Sequence, residues 1–243
     1  MGQKIAVVIG VGAESGIGGA MCLRAAAAGH HVVVSGRTQA KLDNVVSAIK
    51  AAGGSASACV ADVTEEAAVE ALFAYADTLE GELDLVVYNA GNAHRAETRP
   101  LTAEYFEQAW KVCCLGGMIS GREAAKRLVE RGAGSIIFTG ATASVKARPP
   151  FLPFASAKHG LRAVAQGMAR EFGPKGIHVA HAIIDGGING EILTSRAPDR
   201  VAALGENVLL SPAAIAESYW QLHVQHPSAW TFEIDLRPFK ETF

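Results

Sequence analysis

The sequence predicts a parallel, doubly wound α/β sheet, and three observations carry that reading. An apolar pentad, Ile5-Ala6-Val7-Val8-Ile9, runs straight into a turn spaced by Gly10, Gly12, Gly16 and Gly18. Short β-branched runs then alternate with segments whose apolar residues recur at helical spacing. The 243 residues, 49% of them hydrophobic, suit a single domain over 1–243 with a full core, and no stretch reads as a linker that would divide it.

The pentad is apolar at every position, as a strand covered on both faces must be. After it, a Cβ would hold the backbone off a bound group, so glycine is the residue expected where the chain must approach closely or take φ > 0. Ala20–Ala28 reads as the following helix, whose open N–H groups face a pyrophosphate. The unit predicts a dinucleotide site formed by Gly10, Gly12, Ser15, Gly16, Ile17 and Gly18. The second strand, His31–Ser35, ends in Ser35-Gly36-Arg37-Thr38. An NAD-selective site places an acidic residue near here for the ribose hydroxyls; Arg37 instead suits a 2′-phosphate, which favours NADP(H) over NAD(H).

Gln39–Ala52 shows a helical stripe of Leu42, Val45, Val46 and Ile49 and stops at Gly53-Gly54. Ser57–Ala61 is a third strand with Asp62-Val63 at its carboxyl end, and Thr64 is placed to cap a helix running to about Leu79. Leu83–Tyr88 is a fourth, followed by Asn89-Ala90-Gly91. Ligands bind at the carboxyl ends of such strands, so these strand-end motifs converge on one crevice. One long helix is expected from about Ala103 to Glu130, with Gly116-Gly117 near its middle, broken by Gly132-Ala133-Gly134. Ser135–Thr139 is the fifth strand and leads into Gly140-Ala141-Thr142-Ala143-Ser144. A loop with Pro149, Pro150 and Pro153 precedes a helix from about Phe154 to Phe172, which Gly173-Pro174 stops. His178–Ile184 is the sixth strand and ends in Asp185-Gly186-Gly187. Asn189–Val208 is polar and reads as a loop or helical lid; Ser211-Pro212 caps a helix to about His226, and Thr231–Leu236 alternates like an edge strand.

Composition narrows the function. A net charge of −2 offers no general attraction to nucleic acid or acidic membranes. No apolar run approaches the ~18 residues of a spanning helix. The chain enters its first strand without a signal peptide. Cys22, Cys59, Cys113 and Cys114 lack a C-x-x-C spacing and read as buried thiols, which points to a reducing cytoplasm and to no metal.

Taken together, Gly12-x-x-x-Gly16-Ile17-Gly18, Asp62-Val63, Asn89-Ala90-Gly91, Ala155-Ser156-Ala157-Lys158 and Gly173-Pro174-x-Gly176-Ile177-x-Val179 resemble the short-chain dehydrogenase/reductase superfamily over nearly the whole chain. The resemblance implies a Rossmann-type, seven-stranded sheet flanked by helices, a nicotinamide cofactor, and a small-molecule substrate. It also implies that Asp62 and Val63 meet the adenine, that Asn89, Ala90 and Gly91 border the nicotinamide, and that Gly186 lies on the same rim. Homodimers or homotetramers are expected by the same likeness, through the two small-residue helices around 103–130 and 154–172. Lys158 corresponds to the lysine that holds the nicotinamide ribose.

The chain departs from that pattern where protons are handled. The family's tyrosine, four residues before the lysine, is Phe154; its serine, thirteen earlier, is Ala141; its asparagine is Cys113. None of Tyr75, Tyr88, Tyr105 or Tyr219 has a lysine four residues later. Thr142 and Ser144 are the neighbouring hydroxyls that could stand in, and His94, Arg95, Arg99, Lys146 and Arg148 lie in loops that could reach the crevice. Two functions follow. One is an NADP(H)-dependent oxidoreductase with atypical proton handling, acting on a carbonyl or on an enone or enoyl group, where the product enolate makes less demand for an acid at oxygen. The other is a catalytically degenerate nucleotide-binding sensor or a structural partner in an oligomer.

Overall fold

The computed structural model describes residues 2–240 except 197, 205 and 206. Seven strands, β1 (Lys4–Ile9), β2 (His31–Gly36), β3 (Ser55–Val60), β4 (Glu82–Tyr88), β5 (Gly134–Thr139), β6 (Ile177–Ile184) and β7 (Glu233–Leu236), form one sheet in the order β3-β2-β1-β4-β5-β6-β7. Every pairing is parallel. The helices are α1 (Ile17–Ala27), α2 (Gln39–Ala51), α3 (Glu66–Asp77), α4 (Ala103–Trp110), α5 (Gly116–Arg131), α6 (Leu152–Phe172), α7 (Glu191–Arg196), α8 (Pro198–Ala203) and α9 (Pro212–His223). Among the described residues no helix is long and apolar enough to cross a membrane.

The pleat of β1 divides the core. Ala6 and Val8 join the cluster under α1, α2 and α9, with Leu42, Ile49 and Tyr219. Ile5, Val7 and Ile9 join the cluster under α3, α5 and α6, with Phe73, Leu128 and Leu161. Both faces are therefore covered, which is why β1 carries no polar alternation. Truncating a fully buried anchor such as Leu42 or Phe73 to alanine is expected to cost about 2–5 kcal/mol.

The elements depart from the sequence expectations in physically readable ways. Helix α1 starts at Ile17, inside the glycine run, and Gly19 in its first turn packs so tightly that a Cβ would lie 2.3 Å from the Glu14 carbonyl oxygen. Strand β3 starts two residues early, in register from His31↔Ser55 to Gly36↔Val60. Thr64 is not a cap: the N-cap of α3 is Glu65, and the Thr64 N–H and hydroxyl both donate to Asp62, at 3.0 and 2.8 Å. That local turn competes with capping. The long helix is not uniform. A π-helical turn over Lys111–Leu115 separates α4 from α5, and it carries Cys113 and Cys114. Helix α6 begins at Leu152, with Pro153 in its first turn, where a missing N–H costs nothing. Helix α9 ends at His223, and the Ser211 hydroxyl caps it as expected. The segment expected as a loop or lid, Asn189–Val208, carries two short helices, α7 and α8; Ala197, Gly205 and Glu206 lie outside the described residues.

Candidate functional site

The glycine turn sits between the carboxyl ends of β1 and β4. Gly10 takes φ +86°, and a Cβ there would lie 2.3 Å from the Ala90 nitrogen, so the two strand ends meet without a side chain between them. Asn89 braces the contact, its Nδ2 donating to the Gly10 carbonyl at 3.2 Å. Gly18 packs beneath, where a Cβ would be 3.1 Å from the Val11 Cα. Gly12 is different: it is exposed, and nothing stands within 4 Å of where its Cβ would be. The backbone is thus open at the place where a bound group would approach the helix N-terminus. Ser15 is exposed, while Ile17 is buried in the core as the first residue of α1. Arg37 is exposed just past the end of β2 and makes no ion pair among the described residues. Asp62 is half-buried, turned back onto Thr64; Val63 and Ala90 are buried, and Gly91 is exposed.

Lys158 forms the second part of the site. Helix α6 buries it to 3% exposure, and Nζ donates to the Thr139 carbonyl at the carboxyl end of β5, at 2.7 Å. The Thr139 hydroxyl is held by the buried Tyr219 hydroxyl at 3.0 Å. Phe154 lies one turn away, with Nζ 5.8 Å from its ring centre. A Cβ on Gly91 would stand 3.3 Å from Nζ and 3.7 Å from the Cys113 sulfur, so Gly91 keeps open the space those two groups share. An ammonium has three donors, and among the described residues one is used. Burial lowers the Lys158 pKa, with Cys113 and Cys114 opposing the shift. Cys113 is fully buried, its sulfur 3.8 Å from the Asn92 carbonyl oxygen, and burial pushes the Cys114 thiol up to about 11. Gly186 is half-buried on the turn after β6, packed against Pro238.

The two hydroxyls proposed to replace the missing serine have different surroundings. Ser144 is fully buried. Its oxygen accepts from the Ala141 N–H at 3.1 Å and faces His181 Nε2 at 3.4 Å. His181 Nδ1 lies 2.9 Å from Glu233, which a bidentate Arg162 holds at 2.6 and 2.7 Å. Burial drives the His181 pKa down to about 4, against the pull of Glu233, so the ring is neutral near pH 7. A neutral ring donating to Glu233 from Nδ1 leaves Nε2 to accept from Ser144. Ser144 therefore belongs to an enclosed brace behind the loop. Thr142 is half-buried and donates to Asp185 at the end of β6.

Sequence reasoning did not single out Asp185, His181 or Glu233. For Asp185 the signal was present: a carboxylate at the carboxyl end of a parallel strand, in the position where ligands bind. For His181, mid-strand and fully buried, no local signal exists. His159 and Arg148 are exposed, His94 and Lys146 half-buried. Arg95 stacks on Phe151, with its guanidinium carbon 4.6 Å from the ring centre.

Residues 4–201 match the short chain dehydrogenase family. A short-chain dehydrogenase/reductase of Armillaria gallica is 34% identical over 179 residues, covering 72% of this chain and 68% of its own. A solved short-chain dehydrogenase from Rhodopseudomonas palustris is 40% identical, covers 98% of this chain and 99% of its own, and superposes with a TM-score of 0.83. The fold is also that of an actinorhodin polyketide ketoreductase variant solved with NADPH, at 21% identity, a TM-score of 0.86, and coverage of 97% of this chain and 96% of its own.

Proposed function

Because the chain belongs to the short-chain dehydrogenase family of oxidoreductases, we propose that it binds NADP(H) and exchanges hydride with a small carbonyl, enone or enoyl compound, without a tyrosine as its acid or base. The observation that carries this reading is Lys158: a buried ammonium with one carbonyl partner, beside a glycine that leaves it room. A buried charge left so sparsely bonded is costly unless a ligand supplies acceptors, and the two hydroxyls of a ribose fit. Open backbone at Gly12 suits the pyrophosphate, and Arg37, exposed and without an ion pair among the described residues, suits a 2′-phosphate. The cofactor, when bound, supplies the hydride chemistry. The chain's part is to seat it with the glycine turn, Asn89 and Lys158.

Titration of the purified chain with NADPH and with NADH tests this directly. NADPH is expected to bind more tightly, and Arg37→Asp to weaken it about ten- to hundred-fold, the worth of one or two charge-assisted hydrogen bonds, while leaving NADH nearly unchanged. Equal weakening of both cofactors removes the 2′-phosphate assignment. A second reading, a nucleotide-binding sensor or structural partner, is favoured by Phe154, Ala141 and Cys113 at the three positions where the family pattern has a hydroxyl or an amide. Reproducible turnover that Lys158→Ala abolishes would exclude it.

A further inference from the structure

We infer that Thr142 and Asp185 form the proton relay of this site, with Asp185 as the base and Thr142 as the group that touches the substrate hydroxyl. The inference rests on the oxidoreductase reading above and commits it to the alcohol–carbonyl couple. Thr142 is the first residue of the short turn that follows Ala141, and Asp185 is the first residue past β6. Their side chains meet across two neighbouring strand ends, the hydroxyl donating to Oδ1 at 2.5 Å. Asp185 is 7% exposed, and its backbone N–H continues the ladder to the Leu236 carbonyl at 2.8 Å, so the carboxylate is held in place. Its other oxygen lies 3.1 Å from the Arg237 guanidinium, which also contacts Asp235.

The direction of the hydrogen bond sets the chemistry. A carboxylate only accepts, so the Thr142 proton points at Asp185 and the lone pairs of its oxygen point away. Thr142 is half-buried and can still be reached, whereas Ser144 is enclosed. A hydroxyl in that state accepts from an alcohol O–H; it cannot donate to a carbonyl oxygen. In the oxidising direction the substrate O–H proton passes to Thr142 Oγ1 as the Thr142 proton passes to Asp185. The carbinol C–H bond breaks and its electron pair leaves as hydride, for which an oxidised nicotinamide dinucleotide is the acceptor. The C–O bond becomes C=O, and Asp185 ends protonated. Reduction runs the same atoms backwards and needs Asp185 as the acid.

The test measures oxidation of cyclohexanol, 1-phenylethanol, glucose and gluconate with NADP+ by the chain and by Thr142→Val, Thr142→Ser and Asp185→Asn, alongside NADP+ dissociation constants for each. The relay is expected to give oxidation of at least one alcohol that falls 100-fold or more in Thr142→Val and Asp185→Asn. Thr142→Ser should stay within about ten-fold, and NADP+ affinity within two-fold throughout. The recovery of oxidation in Thr142→Ser relative to Thr142→Val is an effect that loss of packing at Thr142 would not produce. Undiminished oxidation by Asp185→Asn overturns the relay. So does tight NADP+ binding with none of the alcohols oxidised, which leaves the cofactor reading standing. Failure to bind NADP+ brings down that reading, and the relay with it.

Discussion

Lys158 and Asp84 are buried charges at opposite ends of the sheet's parallel strands, and their surroundings differ in kind. Asp84, near the amino end of β4, is saturated. Lys4, His30 and His223 converge on Oδ2 at 3.0, 3.0 and 3.1 Å, and Arg131 takes Oδ1 at 3.0 Å. Burial by itself would raise its pKa; the hydrogen bonds from His223, His30 and Lys4 outweigh that and hold the carboxyl well below the usual range. Lys158, against the carboxyl end of β5, has one carbonyl, and burial pulls its pKa down unopposed by any carboxylate. Saturated polarity marks the end that holds the sheet together; unsaturated polarity marks the end prepared for a ligand.

The comparison can be broken most directly at Asp84. Asp84→Ala is expected to lower unfolding free energy by about 3–5 kcal/mol, since it strands several cationic or donor groups around one buried point. NADPH affinity should hardly move. Denaturant unfolding and cofactor titration on the same protein check both halves, and loss of affinity without loss of stability would invert the comparison.

Lys158→Met should do the reverse. Loss of charge-assisted bonds to a ribose is expected to weaken NADPH about ten- to hundred-fold. Stability without cofactor should be unchanged or raised by about 1 kcal/mol, because an apolar side chain of similar length replaces a poorly paired buried charge. A marked destabilisation would make Lys158 a structural residue.

Acid titration sharpens the contrast. The Asp84 pKa is depressed on folding, so its contribution is complete above the unfolded carboxyl pKa of about 3.9 and is lost progressively as pH falls below it. Asp84→Asn should flatten that part of the stability–pH curve. The Lys158 pKa is also depressed, but for a base the sign differs: its penalty is present while protonated and fades as pH rises through the lowered value.

The smallest effect belongs to the segment after β6. Helix α7 is fastened to the glycine turn by the Glu191 N–H donating to the Ser15 hydroxyl at 3.3 Å, and to α2 by the exposed Lys41–Glu191 pair at 3.0 Å. Glu191→Gln is expected to change stability by about 0.2–1 kcal/mol at most. Its effect should shrink further in high salt, as thermal unfolding at two ionic strengths would show.

Much of this was legible from residue order. Strand and helix alternation, the glycine turn and the absence of tyrosine, serine and asparagine from three expected positions are local facts, and local pattern carries them. The π-helical turn at Lys111–Leu115 is not in the pattern, because Gly116 and Gly117 fit equally well in a regular helix. They become necessary only once Tyr88 and Leu161 press on them, where Cβ atoms would stand 2.6 and 2.4 Å away.

The sequence by itself therefore determined the architecture and which reactive groups the chain lacks, since both follow from periodicity and from residue identity at known spacing. Tertiary structure alone decided what the remaining polar groups do. Thr142 and Asp185 are 43 residues apart, Ser144 and His181 37, and His223 and Asp84 139. Parallel strands and the helices packed on them bring such distant residues together at either end of the sheet, and whether a buried charge is saturated or left open depends on which of them arrive.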